Sequence, residues 1–264
     1  QSGLEEDKIN DIVQRKIKKK LTECAVYKTH IDDTIESLSS VVDAKIIVAV
    51  KRAVKQAKIY IPELEDRIYY FLTIHLGTFF DRMRRGIYKK ISIDFKNIIV
   101  QYKHEYEIAC IIIKDIEVYL NIKFPIEEIG IIAMYLYTFS HAGQADEAHI
   151  KILVLSHGNV ATAMAETANR LLNMDYAIGI NMDFNESPER MLDKVVQIVE
   201  KVDEGKGCLL LADIGSLVSI GPLVTARTGI QAVSVARVDT AMVLDAIRWV
   251  TLTTVKINEI ADAL

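Results

Sequence analysis

Three cysteines, Cys24, Cys110 and Cys208, are all that this 264-residue chain holds. None stands at a spacing that makes a metal site or a disulfide framework. Scattered thiols suit a reducing compartment, so the expected location is the cytoplasm. Basic charge is also short: 32 Lys and Arg against 36 Asp and Glu leave a net charge of −4. That balance lacks the broad positive footprint of a nucleic-acid binder. The one dense basic stretch, Arg15–Lys20, reads as a solvated helix face. No apolar run approaches the roughly 20 residues that cross a bilayer, so no membrane contact is expected, and Gln1–Lys20 has no signal-peptide pattern. A G-x-S-x-G elbow, a G-x-x-x-x-G-K-[ST] loop and a G-x-G-x-x-G turn are all missing, which removes sequence support for a serine hydrolase or a nucleotide site. Among His30, His104, His141 and His149 no two share an i, i+4 helix face with a carboxylate. No metal and no cofactor is therefore expected, and solvated surface histidines explain these four.

What is present divides near residue 145. Half the residues are hydrophobic, enough for proper cores. Before the division the apolar periodicity is helical: Val41–Ile59 up to Pro62, Leu64–Arg85 up to Gly86, a short Asp94–Val100, then Tyr106–Leu120 and Ile126–Phe139. The last starts behind Pro125, with Glu127 and Glu128 placed for a helix N-terminus. Only four glycines fall in residues 1–142, which suits an all-α five-helix bundle over 41–142 after a helical lead, 1–40. Ala142–Ala148 reads as a short linker. Past it, residues 149–264 alternate apolar strands with helices. The strands are Ile150–Leu155, Tyr176–Asn181, Cys208–Ala212 and Ala232–Ala236. The helices are Val160–Leu172, Pro188–Val202, Ser216–Thr228 and Thr240–Val250. Such alternation predicts βαβ units and a small doubly wound α/β domain with a mainly parallel sheet.

Within that domain His157 stands out. It follows the buried-type strand I-K-I-L-V-L in the turn Ser156-His157-Gly158, just before a helix. Open α/β sheets bind their ligands at this carboxyl end of a strand. The third strand stops in the same way at Asp213-Ile214-Gly215-Ser216. If the first and third strands are neighbours, about 5 Å apart, the Asp213 carboxylate reaches one nitrogen of His157 and fixes its tautomer. The other nitrogen is then a lone-pair nucleophile toward phosphorus. Gly158 allows close approach, and the backbone N–H groups of a helix starting at Ser216 favour an anion. The plainer role for Asp213 is a helix cap.

These residues resemble a known family. I-L-V-L-S-H-G-N-V-A-T-A-M-A-E-T with G-C-L-L-L-A-D-I-G-S-L is similar to the IIA domain of mannose-type sugar phosphotransferase systems (PTS), over roughly residues 149–264. The resemblance implies that His157 takes a phosphoryl group through Nε2 from the phosphocarrier HPr, with Asp213 bonded to Nδ1, and passes it to a IIB protein. The D-I-G-S-L wording is closer to regulator-type IIA modules and to the dihydroxyacetone-kinase donor than to transporter domains. In the first half, His75-Leu76-Gly77-Thr78-Phe79-Phe80-Asp81-Arg82 resembles the H-L-x-x-x-x-x-R signature of the PTS regulation domain, a five-helix module. Tyr106–Ala109 and Phe124–Leu136 resemble its second half. There the family pattern E-x-G-x-x-A-x-H-L meets Tyr135 where the second His belongs. His75 is thus the one family-matched phosphorylation site of this module, with Arg82 as a phosphate-supporting cation.

A regulation module followed by a IIA module resembles the LevR-type activators, which work with an alternative sigma factor. The resemblance implies a regulatory fragment that senses sugar flux through phosphohistidine, exchanging phosphoryl groups rather than turning over a substrate. It also implies a homo-oligomer such as a dimer, with DNA and RNA polymerase engaged only through domains absent here. Two further readings stand beside it. One is a relay passing phosphate from HPr to a IIB protein or dihydroxyacetone kinase; the other is a degenerate binding module without chemistry. The helical half speaks against the first, and the presence of both His157 and Asp213 against the second.

Overall fold

A computed structural model describes residues 38–86, 95–141, 148–252 and 255–264. The expected lead (but for its last three residues), the basic face Arg15–Lys20, Cys24, His30 and nearly all of the linker 142–148 lie outside the described residues. Val42–Leu264 forms one compact unit.

Its first part is helical: α1 (Ala44–Tyr60), α2 (Ile68–Arg85), α3 (Phe95–Gln101), α4 (Lys103–Leu120) and α5 (Ile126–His141). Apolar residues at three- and four-residue steps make one face of each long helix. In α1 these are Ile46, Val50, Ala53, Val54 and Ala57, all buried. α1 packs on α2 and α4, and α4 on α5. An aromatic cluster fills the centre, with Phe71 against Phe139 at 4.9 Å and against Tyr135 at 5.9 Å between ring centroids. α2 begins at Ile68, four residues later than the periodicity implies, because Pro62–Arg67 form turns in which the Glu65 carboxylate accepts from Arg67 Nε. Gly86, at φ 68°, closes α2 in the left-handed conformation that glycine adopts without strain.

The second part alternates β1 (Lys151–His157), α6 (Val160–Leu172), β2 (Ala177–Met182), α7 (Pro188–Val202), β3 (Cys208–Ala212), a 3₁₀ turn (Gly215–Ser219), α8 (Ile220–Thr228), β4 (Ala232–Ala236), α9 (Thr240–Val250) and α10 (Ile257–Ala263). Among the described residues the four strands pair in parallel in the order β2-β1-β3-β4. β1 and β3 are therefore neighbours, as the site requires. Leu153, Leu155, Leu210 and Ala212 face Met191, Val195, Val199, Leu217 and Val224 on one side of the sheet. Ile152, Val154, Leu209 and Leu211 are equally buried on the other, which α6 and α9 cover. Burial on both faces explains why these strands read as continuous apolar runs. The expected helix Ser216–Thr228 opens instead with the 3₁₀ turn, so Ser216 does not start an α-helix. α10, which the periodicity did not reveal, begins at a capping box in which Lys256 N donates to Glu259 Oε2.

Two contacts fix the site. A side chain at Gly179 would lie 2.4 Å from Thr162 Cα, so only glycine lets the first turn of α6 rest on β2. Across the same contact Asn181 Oδ1 accepts from Thr162 N at 3.2 Å, and Asn181 Nδ2 donates to Thr162 Oγ1 at 2.8 Å. α9 and α6 both pack on α2, joining the two parts. No described helix is long and apolar enough to cross a membrane.

Candidate functional site

The carboxyl ends of β1, β2 and β3 converge on His157. The imidazole is half-buried and stacks on Phe184, with centroids 6.4 Å apart and planes inclined by 24°. Its Nδ1 is buried and has no hydrogen-bond partner among the described residues. Gly158 takes φ 65°, which turns the chain from strand to helix, and its N–H is donated to Met182 O at 3.0 Å. That N–H is therefore already used within the protein.

The expected bond from Asp213 to His157 Nδ1 is not formed. Asp213 is anchored beside β1, with its N–H on Leu155 O at 2.9 Å, but its Oδ2 accepts from Ser156 Oγ at 2.9 Å. The cause lies in the pleat. Leu155 pairs with Ala212, so the next residues, Ser156 and Asp213, sit side by side on one face of the sheet. His157, one residue on, turns to the other. Ser216 is exposed in the 3₁₀ turn.

Sequence reasoning missed two features of this rim. Val160, Phe184 and Ile214 are 51%, 85% and 60% exposed, and each follows a different strand end. Single exposed apolar residues are ordinary, but that these three follow adjoining strand ends, with Phe184 stacked on the imidazole, is visible only in the fold. The other feature is Arg237, a non-glycine residue at φ 65° just past β4, whose N–H donates to Asp213 O at 3.2 Å.

His75 has a different setting. It is 3% exposed and lies where α2 meets α9. Its Nε2 faces Glu128 Oε2 at 2.8 Å, and its Nδ1 lies 2.8 Å from Arg248 Nη2. Arg248 also donates through Nε to the Tyr135 hydroxyl at 3.2 Å, and through Nη1 to Thr78 Oγ1 at 2.9 Å and Asp245 Oδ1 at 2.7 Å. Tyr135 thus spends its hydroxyl on Arg248, while its ring meets His75 edge-on at 5.7 Å. Arg82, expected to support a phosphate on His75, pairs with Asp245 of α9 instead. Burial pushes the His75 imidazole below its ordinary value; Glu128 and Asp245 oppose that shift and Arg248 adds to it. His104 is exposed, and His141 stacks on Tyr137 at 4.3 Å. His149 meets Tyr176 edge-on at 5.5 Å. Among the described residues no cluster of three or more His, Cys, Asp or Glu could hold a metal.

The PRD domain family matches residues 48–139, and the family described as PTS system fructose IIA component matches residues 151–264. The chain is a PRD domain followed directly by a mannose-type EIIA domain. In particular, it is 30% identical over 205 residues to the transcriptional regulatory protein LevR of Bacillus subtilis, covering 76% of this chain and 21% of that one. It is 28% identical over 126 residues to the transcriptional regulatory protein DagR of Salmonella typhimurium, covering 47% and 13%. The chain thus spans less than a quarter of either regulator. Among solved structures, a sigma-54 interaction domain protein from Enterococcus faecalis matches 44% of this chain and 87% of its own, with 30% identity and a TM-score of 0.41. The PTS component EIIA from Streptococcus agalactiae matches 43% and 87%, with 19% identity and a TM-score of 0.37.

The buried His75 yields a pH prediction. Its folded pKa lies below the unfolded value near 6.5, so between the two the unfolded chain binds the proton more readily. The stability contributed by neutral His75 is complete above about pH 6.5 and is lost as pH falls through the folded value. The urea midpoint should therefore drop on acidification from about pH 7.5 to about 5.5, and His75→Gln should flatten that dependence. An unchanged slope in the variant would contradict it.

Proposed function

We propose that this chain is the phosphorylation-sensing segment of a PTS-controlled transcriptional regulator, and that His157 accepts the phosphoryl group. The observation that carries the reading is the placement of His157: an imidazole at a parallel strand end, one residue past the Ser156 that binds the neighbouring strand's carboxylate, with Nδ1 buried and without a hydrogen-bond partner among the described residues. The order of PRD and EIIA domains, which ends in the likeness to two transcriptional regulators, supports the regulatory half of the reading.

In this reading phospho-HPr docks over the exposed Val160, Phe184 and Ile214, which offer apolar contact around the reacting atom. The P–N bond of the donor breaks as a new one forms at Nε2 of His157, and the donor imidazole leaves neutral. Phosphorylated His157 carries its proton on Nδ1, which needs an acceptor. Asp213, bonded to Ser156 at the adjoining strand end, is the proposed acceptor, once the turn after β1 brings the imidazole round to the face that Asp213 occupies. The added charge then biases packing or dimerisation of the regulator. Action on DNA and RNA polymerase belongs to regions beyond this chain, and the setting is the cytoplasm. The second reading, a relay from HPr to a IIB protein or dihydroxyacetone kinase, shares this chemistry. The regulatory reading is favoured because α9 of the EIIA domain is tied to the PRD histidine.

With enzyme I, HPr and labelled phosphoenolpyruvate, the full chain should take label on His157 and His157→Ala should lose it. Asp213→Asn should fold and transfer more slowly, by less than the roughly 10⁴-fold lost when a catalytic triad loses its carboxylate. Undiminished labelling of His157→Ala would overturn the assignment. Wild-type kinetics in Asp213→Asn would reduce Asp213 to a structural residue.

A further inference from the structure

His75 carries the PRD domain's family motif, yet in this arrangement neither of its ring nitrogens can react. The imidazole is buried. Nδ1 faces Arg248 Nη2 at 2.8 Å, and a guanidinium only donates, so Nδ1 must be the acceptor. The ring proton then sits on Nε2, with the Glu128 carboxylate 2.8 Å away. A protonated Nε2 has no lone pair to attack phosphorus, and an anionic phosphoryl group arriving there would meet Glu128. One contact from the neighbouring domain therefore both covers Nδ1 and sets the unreactive tautomer at Nε2.

We propose that α9 of the EIIA domain is a latch on the PRD domain: Arg248 holds His75 in its non-nucleophilic tautomer, and His75 becomes reactive only when α9 lifts away. The latch has two sides. Inside, Arg248 is anchored on Tyr135, Thr78 and Asp245. At the solvent edge Arg82 of α2 pairs with Asp245, and its side chain is 43% exposed, so that pair is where separation can begin. Once Arg248 withdraws, Nδ1 can take the proton and Nε2 regains its lone pair. That His75 then accepts phosphate rests on the function proposed above; the latch does not.

Carbethoxylation by diethyl pyrocarbonate tests the latch without any phosphocarrier, because the reagent is attacked by the unprotonated nitrogen of an accessible imidazole. Rates are read site by site by mass spectrometry on the full chain, with exposed His104 as internal reference and buried Cys208 as a probe of global unfolding. In the wild type His75 should react at least about tenfold more slowly than His104, as burial in a stable element implies. Arg248→Met should raise the His75 rate about tenfold while Cys208 stays protected. Tyr135→Phe, which keeps the ring and removes only the hydroxyl serving Arg248, should raise it by a smaller factor. If Arg248→Met also exposes Cys208, Tyr135→Phe decides. A wild-type His75 as reactive as His104, or an unchanged His75 rate in the deciding variant, would overturn the latch. A His75 that is protected in the wild type and reactive in the opened variant, yet takes no phosphoryl group from phospho-HPr there, would instead refute the role of His75 as a phosphoryl acceptor and leave the latch standing.

Discussion

The arrangement of the two domains turns on one buried guanidinium. Arg248 is 5% exposed, and an unpaired charge taken out of water costs several kcal/mol. Its donors must therefore be met, and they are met from both sides of the interface. Asp245 lies one helical turn back on α9, Thr78 and His75 are on α2, and Tyr135 is on α5. No rigid shift of α9 along α2 keeps all four partners. The polar cluster thus specifies a register that apolar packing alone would leave loose, in the way buried polar groups fix the register of paired helices. α9 in turn covers the sheet that carries His157.

The two family-matched histidines are consequently in opposite states. His157 stands at a strand end, half-exposed, with its ring stacked on Phe184. Its Nδ1 has no hydrogen bond among the described residues, and the carboxylate at the adjoining strand end accepts from Ser156. His75 is enclosed by a carboxylate, a guanidinium and an aromatic ring. On the proposed latch, an open site and a closed one within one compact unit form a two-state element: whatever displaces α9 changes the reactivity of a histidine in the other domain.

Much of the fold could be read from the chain because both domains follow strong periodic patterns. The continuous aliphatic runs at β1 and β3 come from burial on both sheet faces, and the helix expected over Pro188–Val202 is α7 to the residue. The candidate site was legible as residue types at strand ends. Its hydrogen bonds were not, because strand alternation gives Asp213 to Ser156, and a search for a carboxylate near an imidazole overlooks which face each side chain takes. The role of Arg248 left no signal at all. Asp245 and Arg248 at i, i+3 read as an ordinary solvated pair on a helix, and nothing local tells that their face is buried against another domain 170 residues away along the chain. Phe184 and Ile214 were hidden for the same reason: each is a lone exposed hydrophobe until the sheet brings their loops together.

The most direct measurement on the central interaction is histidine-selective ¹⁵N NMR of the full chain, read at His75 across the neutral to mildly acidic range. A neutral imidazole protonated on Nε2, with Nδ1 bonded to a donor, persisting below the pH at which exposed histidines titrate, is the expected spectrum. An imidazolium near neutral pH, or a proton on Nδ1, would show that Arg248 does not hold this ring and would contradict the coupling between the domains.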